Sequence, residues 1–470
     1  MKYARLMTMQ KKDTASTKVT IHPITRTLAP IVPLAIALLH GAVTNHSVST
    51  PNPSVTSPTA VESGAMVCGG SQNSAGCIAP SPLIAAGHPV DWWFVFKLNS
   101  QSFPQCGNGD TRTCPFDAGR SPTSTFSHFG QQYVFASSEH PSLQDGGQQC
   151  LGTTTEDPLG STFDEIYKGK FHYVVWNDQP YEDPALKCGN SISCSGPWGH
   201  SKGILAWNDV GNGMVMQVST PDWPLSGSVA HPRKSDGNTL GCTKDNNVKV
   251  SQHFFALRLT KSDLIAVLQG MSNASVVTDP NDLQVVSNGG PSDVQRLVSS
   301  LGVQSKAAEP LTGTLSTGIE LISKPSRLTV PPWQMVSSLL GGASLHVANW
   351  WTNPDKLAST TAANSTAITC WDKSLSAPGP VENATTGTWK GVAFGLLGGD
   401  NPNGNHAKVG VSTSGHERYT IFGDMNQEGS YDGPDCSVSQ NGRGGMFYVL
   451  SNAQLSASVS DLIGASSPAQ

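Results

Sequence analysis

The sequence predicts an α/β protein of mixed α+β character, made of two β-sheet halves flanked by helices. Three observations carry that expectation. Only 13% of the 470 residues are charged, while glycine and proline number 48 and 32; a coiled coil or helical array would need far more Glu, Lys and Leu. An apolar share of 37% with 11 tryptophans supplies a sizeable core, which excludes wholesale disorder. Runs of β-branched and aromatic residues outnumber helical patterns, and one strand unit occurs twice.

The elements follow in chain order. Lys2, Arg5, Lys11, Lys12, Lys18 and Arg26 form a basic leader opposed only by Asp13, followed by an apolar run from Leu28 to Leu39 that Pro30 and Pro33 interrupt. That run falls short of the roughly 20 residues needed to span a bilayer. Small residues at Gly41–Val43 offer a cleavage point, so residues 1–43 read as a signal peptide. A signal anchor, or an over-long start with initiation at Met7 or Met9, is the alternative. Residues 44–66 are a Ser/Thr/Pro-rich tether of disordered composition. The ten cysteines contain no CxxC pair and no zinc-type Cys/His spacing, as suits an exported, disulfide-bonded chain that keeps no contact with the membrane once cleaved. If bridges stay within each half, Cys370 pairs with Cys436; the connectivity of the other eight is open.

Removal of residues 1–66 takes away six basic and two acidic residues and leaves a formal charge of about −9 at pH 7. Protonating the ten remaining histidines would bring it to about +1 at pH 5. A polyanionic partner is therefore repelled overall at neutral pH and tolerated in acid.

Strands are expected at Asp91–Leu98, His172–Asn177, Lys202–Asn208, Gly213–Ser219 and Val248–Leu259, and then at Ser344–Trp351, Lys390–Leu397, Lys408–Ser412, Arg418–Met425 and Gly445–Leu450. Helices are expected at Lys261–Met271, capped by Thr260 or Ser262, at Ser292–Leu301, and at Pro332–Leu340 before Gly341-Gly342. Residues 99–165 read as a long Gly/Ser-rich loop region. The division is an N-terminal half at 67–275, a linker or helical connection at 276–330, and a C-terminal half at 331–470.

Both halves carry the repeated unit. His200-Ser201-Lys202 opens a strand, a second strand ends at Ser219, and a third leads into a helix; His406-Ala407-Lys408 opens a strand, a second ends at Asn426, and a third leads into a helix-like tail. On a strand, residues i and i+2 share a face, so each His projects beside its Lys. An imidazole beside an ammonium suits phosphate chemistry: the lysine supplies charge, and the histidine supplies a nucleophile or a proton. One such copy is ordinarily a solvated strand edge. Two in matching contexts imply two halves facing one shared site.

At these residues the chain resembles the deoxyribonuclease II family of the phospholipase D-like superfamily. The resemblance rests on Pro89-Val90-Asp91-Trp92, Trp176-Asn177-Asp178-Gln179-Pro180, Gly199-His200-Ser201-Lys202-Gly203, Ser219-Thr220-Pro221-Asp222-Trp223-Pro224, His406-Ala407-Lys408, Gly423-Asp424-Met425-Asn426 and Arg443-Gly444-Gly445. The departures are Val218 before Ser219, and Val409, Gly410 and Phe422 where animal relatives show their cysteine pattern. The resemblance implies a phospholipase D-like pseudo-dimer with one shared active site. It implies an acid endodeoxyribonuclease, working without metal or cofactor in a secreted, periplasmic or other exported acidic compartment. Such an enzyme cuts double-stranded DNA with little sequence preference, leaves 3′-phosphates through a phosphohistidine, and needs no protein partner. The catalytic candidates are His200, Lys202, His406, Lys408, Asn426 and Ser219, with His200 as nucleophile and His406 as acid, or the reverse.

Asp178 and Arg443 are candidate substrate-binding or orienting residues, weighed against a turn former and a surface arginine. His231, His253 and His346 read as structural or exposed, and Trp92, Trp93, Trp350 and Trp351 as core. Two other functions compete: a phosphodiesterase acting on lipid or another diester, which would show an apolar mouth, and a non-catalytic secreted binding module, whose two His-x-Lys copies would lie apart.

Overall fold

The computed structural model describes residues 78–99, 132–146, 151–181, 183–186, 188, 193–234, 250–399, 401 and 404–465. The expected signal peptide and tether lie outside these residues. The first half runs β1 (Leu83–Ala85), β2 (His88–Pro89), β3 (Trp92–Lys97), β4 (Tyr133–Ser137), β5 (Gln144–Asp145), α1 (Pro158–Lys168), β6 (His172–Asn177), β7 (Lys202–Trp207), β8 (Gly213–Val218), β9 (Gln252–Leu259), α2 (Lys261–Ala274), β10 (Val286–Ser287) and α3 (Ser292–Ser299). The second runs β11 (Leu311–Thr314), β12 (Glu320–Lys324), α4 (Pro332–Leu339), β13 (Leu345–Ala348), β14 (Val381–Asn383), β15 (Thr386–Trp389), β16 (Val392–Gly395), β17 (Val409–Ser412), β18 (Tyr419–Gly423), β19 (Gly445–Ser451) and α5 (Ala453–Ile463).

Two large sheets result. The first has eight antiparallel strands in the order β10-β6-β7-β8-β9-β3-β4-β5; the second has seven in the order β11-β12-β19-β18-β17-β13-β14, antiparallel except for the β13–β14 pair. Within them β6-β7-β8-β9-β3 and β13-β17-β18-β19-β12 are the same arrangement. The connectivity matches too: β3 leads through α1 to β6, β7, β8, β9 and α2, as β12 leads through α4 to β13, β17, β18, β19 and α5.

The central strands are buried at every position, as in WWFVFK, KGILAW and GMVMQV. A sheet covered on both faces explains why these segments read as continuous apolar runs rather than alternating ones. The sheets meet through aromatic rings: Phe422 of β18 lies 4.8 Å from Phe94 of β3 and stacks at 4.1 Å on Phe255 of β9, which also touches Tyr448 of β19.

Helix ends follow local chemistry. Thr260 caps α2 in a reciprocal box with Asp263, satisfying backbone N–H groups that a helix start leaves open. At α1, Asp157 accepts from the Gly160 N–H at 2.8 Å and Pro158 sits in the first turn.

Some segments differ from expectation. Within 99–165, β4 and β5 extend the first sheet and α1 begins at Pro158; residues 100–131 lie outside the described set. The 276–330 stretch contains the expected helix, α3, and in addition supplies β10 to the first sheet and β11 and β12 to the second. The strand expected at Lys390–Leu397 shortens to β16, which pairs only with β15 in a small separate sheet. Cys370 bridges Cys436 as expected, and Cys188 bridges Cys194; the other cysteines lie outside the described residues.

Phe422 is fully buried between the sheets. Phe422→Ala should cost about 3–5 kcal/mol by leaving a cavity there, read as a lower urea midpoint with an unchanged m-value.

Candidate active site

The site is assembled at the ends of the repeated strands. Just before β7, the His200 backbone N–H donates to Gly444 O at 2.8 Å, on the lead into β19. Just before β17, the His406 N–H donates to Ser251 O at 2.8 Å, on the lead into β9. Each candidate histidine is thus fixed by backbone from the other sheet.

In β6, Asn177 pairs with Lys202, which puts Asp178 beside the lysine. Lys202 Nζ donates to Asp178 Oδ1, and Arg443 Nη2 donates to Asp178 Oδ2 at 2.8 Å and to Gly199 O at 3.0 Å. Arg443 Nε donates to Trp198 O at 3.0 Å. Burial alone would raise the Asp178 carboxyl, but Lys202, His200 and Arg443 outweigh it and hold the group well below the usual carboxylate range.

His200 is buried, and its Nδ1 lies 2.7 Å from the Asp424 carbonyl oxygen. A carbonyl only accepts, so Nδ1 carries the proton and Nε2 keeps its lone pair. Burial, reinforced by Lys202 and only partly opposed by Asp178, holds the ring well below the ordinary histidine range. The neutral form of the ring is favoured accordingly. Ser201 Oγ donates to Asp424 Oδ2, while burial pushes the Asp424 carboxyl up to about 7.

Lys408 donates through Nζ to His406 O at 2.7 Å and through its backbone N–H to His253 Nδ1 at 3.1 Å. Burial, with repulsion from Lys202, lowers it to about 7; the ammonium groups of the two repeats sense one another. The His406 ring meets Trp350 edge to face at 5.7 Å. Asn426 donates from its backbone to Gln440 Oε1 at 3.3 Å and from Nδ2 to Glu428 Oε2 at 3.2 Å, while its buried Oδ1 has no partner.

A cavity of about 920 Å³ opens over this arrangement, lined by Asp178, His200, Trp350, Asn426, Glu428 and Arg443 among others. It gathers both expected substrate-binding residues with one repeat's histidine and the other's asparagine. Of the expected catalytic residues, His200 and Asn426 line it, whereas Lys202, His406, Lys408 and Ser219 do not; the Ser219 hydroxyl donates to Gln252 Oε1 at 2.6 Å and accepts the His253 N–H at 2.8 Å. Among the described residues no cluster of His, Cys, Asp or Glu could hold a metal ion.

A profile described as Deoxyribonuclease II matches residues 77–468. The chain belongs to the deoxyribonuclease II family. It is therefore a deoxyribonuclease, a hydrolase of phosphodiester bonds. A comparison with curated proteins finds no match.

For this deoxyribonuclease, sequence reasoning overlooked three residues at the site. Trp350, expected in the core, lines the cavity, and Glu428 beside it was unassigned. Asp424 anchors His200 through its carbonyl, while His253, expected to be structural or exposed, is buried and accepts the Lys408 N–H, in line with a structural residue. Aligning Asn177 with Asn349 would have found Trp350. Ala348 pairs with Val409 as Trp176 pairs with Gly203, so Trp350 occupies the place of Asp178 in the second repeat.

Asp178→Asn would leave Lys202 and Arg443 buried without their shared counter-charge, costing about 3–5 kcal/mol. Because the native carboxyl is depressed, its contribution is complete above the unfolded value near 3.9 and is lost only as pH falls below it. Urea denaturation should show a wild-type-minus-variant gap that is constant from pH 7 to 5 and shrinks below about pH 4.

Proposed function

We propose that this deoxyribonuclease cuts DNA without a metal ion, in mild acid, through a phosphohistidine shared between two phospholipase D-like halves. The observation that carries this reading is the His200 ring, which lines the cavity with its Nδ1 proton tied to Asp424 O, leaving Nε2 as the lone-pair nitrogen. The repeated strand order and the crossed backbone bonds of His200 and His406 support the pseudo-dimer.

The chemistry balances on groups of the chain. His200 Nε2 attacks phosphorus in line as the P–O5′ bond breaks, and protonated His406 gives its proton to the leaving 5′-oxygen. Water then attacks phosphorus, His406 takes a proton from it, and the P–N bond breaks to release a 3′-phosphate. Lys202, Lys408 and Asn426 stabilise the equatorial oxygens. Ser219 acts through Gln252 and His253, and Arg443 through Asp178 and the cavity wall. The substrate is double-stranded DNA with little sequence preference, met in an exported acidic compartment. Hydrogen-bonding side chains of the lining, among them Asn426, Gln440 and Arg443, suit a phosphodiester.

The test incubates plasmid with the purified chain at pH 5 in chelator. Wild type should nick it, and His200→Ala and His406→Ala should each lose at least about a thousandfold, as removal of an essential nucleophile or acid does. Activity that required added divalent metal would overturn the mechanism. On denaturing gels, a 5′-end-labelled oligonucleotide should leave label on wild type through an acid-labile, alkali-stable bond, and none on His200→Ala. Label retained there and lost from His406→Ala would reverse the two roles.

A further inference from the structure

Two carboxyl groups line the cavity, and their surroundings are opposite. Asp178 is neutralised twice, by Lys202 and Arg443. Glu428 is buried, yet its partners are neutral: Oε1 accepts from the Thr352 N–H at 2.8 Å and hydroxyl at 3.0 Å, and Oε2 accepts from Asn426 Nδ2. Its antiparallel bridge partner is Lys356, whose ammonium lies over the Trp351 ring, and among the described residues no ion pair to Glu428 is formed. A carboxylate so placed opposes a phosphodiester in the same cavity, through a low-dielectric space that screens poorly. Protonated, it loses its charge and gives up one of the bonds it accepts.

We infer that Glu428 is the residue that confines phosphodiester binding to acid conditions, a gate on substrate affinity separate from the histidines that perform the chemistry. The inference rests on the nuclease reading above.

The groups around Glu428 support it element by element. On the 350–357 segment, Asp355 adds negative charge, while Lys356 lies over the Trp351 ring at 4.3 Å. At the end of β18, Asp424 is a second carboxyl raised by burial, engaged with Ser201. Before β17, Lys408 senses Glu428, but its ammonium donates to His406 O. Across the cavity stand His200, held neutral, and Arg443, bound to Asp178; Arg327 marks the exposed rim. Burial raises the Glu428 carboxyl above its ordinary range, so its charge is removed at a higher pH than for an exposed glutamate.

The experiment measures KM and kcat for a short DNA duplex from pH 4.5 to 7.5 at fixed ionic strength, for wild type and Glu428→Gln. Glutamine is the uncharged isostere. The ratio of KM at pH 7 to KM at pH 5 should be at least tenfold in wild type and under threefold in the variant, with kcat following the same shape against pH in both. Equal ratios would overturn the inference, as would a variant whose kcat profile moves while its KM ratio stays. A second measurement needs no substitution: the Ki of an uncharged methylphosphonate analogue as competitor of wild type. A change under twofold between pH 5 and 7 supports the gate, and a change that parallels KM overturns it. Failure of wild type to cut DNA at all would instead strike the nuclease reading.

Discussion

The buried carboxylate of Asp178, held between Lys202 and Arg443, is the interaction on which the rest of the site depends. Its two cations come from different sheets: Lys202 opens β7 of the first, and Arg443 leads into β19 of the second. Three charged groups buried together are tolerable only while each keeps its partners. The triad therefore fixes where the two sheets end relative to one another. His200 is set by the same register, since Gly199 O accepts from Arg443 and Gly444 O accepts from His200.

Around that clamp, the repeated arrangement is alike in backbone and unlike in side chains. Where the first repeat places Asp178 beside Lys202, the second places Trp350 against His406. Where Ser219 ends β8, Asp424 ends β18. A near-symmetric scaffold thus gives two imidazoles different environments, one against a carboxylate–lysine pair and one against an aromatic edge. The two rings are therefore chemically inequivalent.

The central strands were legible because a doubly covered sheet leaves unbroken apolar runs such as DWWFVFKL, and both His-x-Lys units were legible because two copies share a spacing. The α1 helix was readable in principle from Asp157-Pro158, a cap followed by a first-turn proline, but the surrounding Gly/Ser-rich composition masked it. β12 was obscured for a different reason: ELISK is short, and its place depends on pairing with β19, more than a hundred residues later. Glu428 gave no local signal. Its importance comes from the neutrality of Thr352 and Asn426 around it, which only the folded chain brings together.

The crossed backbone bonds, from His200 to the lead into β19 and from His406 to the lead into β9, have an evolutionary corollary. Neither half owns the positioning of its own imidazole. Recombination that joined a first half from one relative to a second half from another would inherit both motifs intact and still aim each ring with a foreign main chain. Homologous shuffling should therefore favour breakpoints that keep the β7 lead with the β19 lead and the β9 lead with the β17 lead, and drift in one half is answerable to the other.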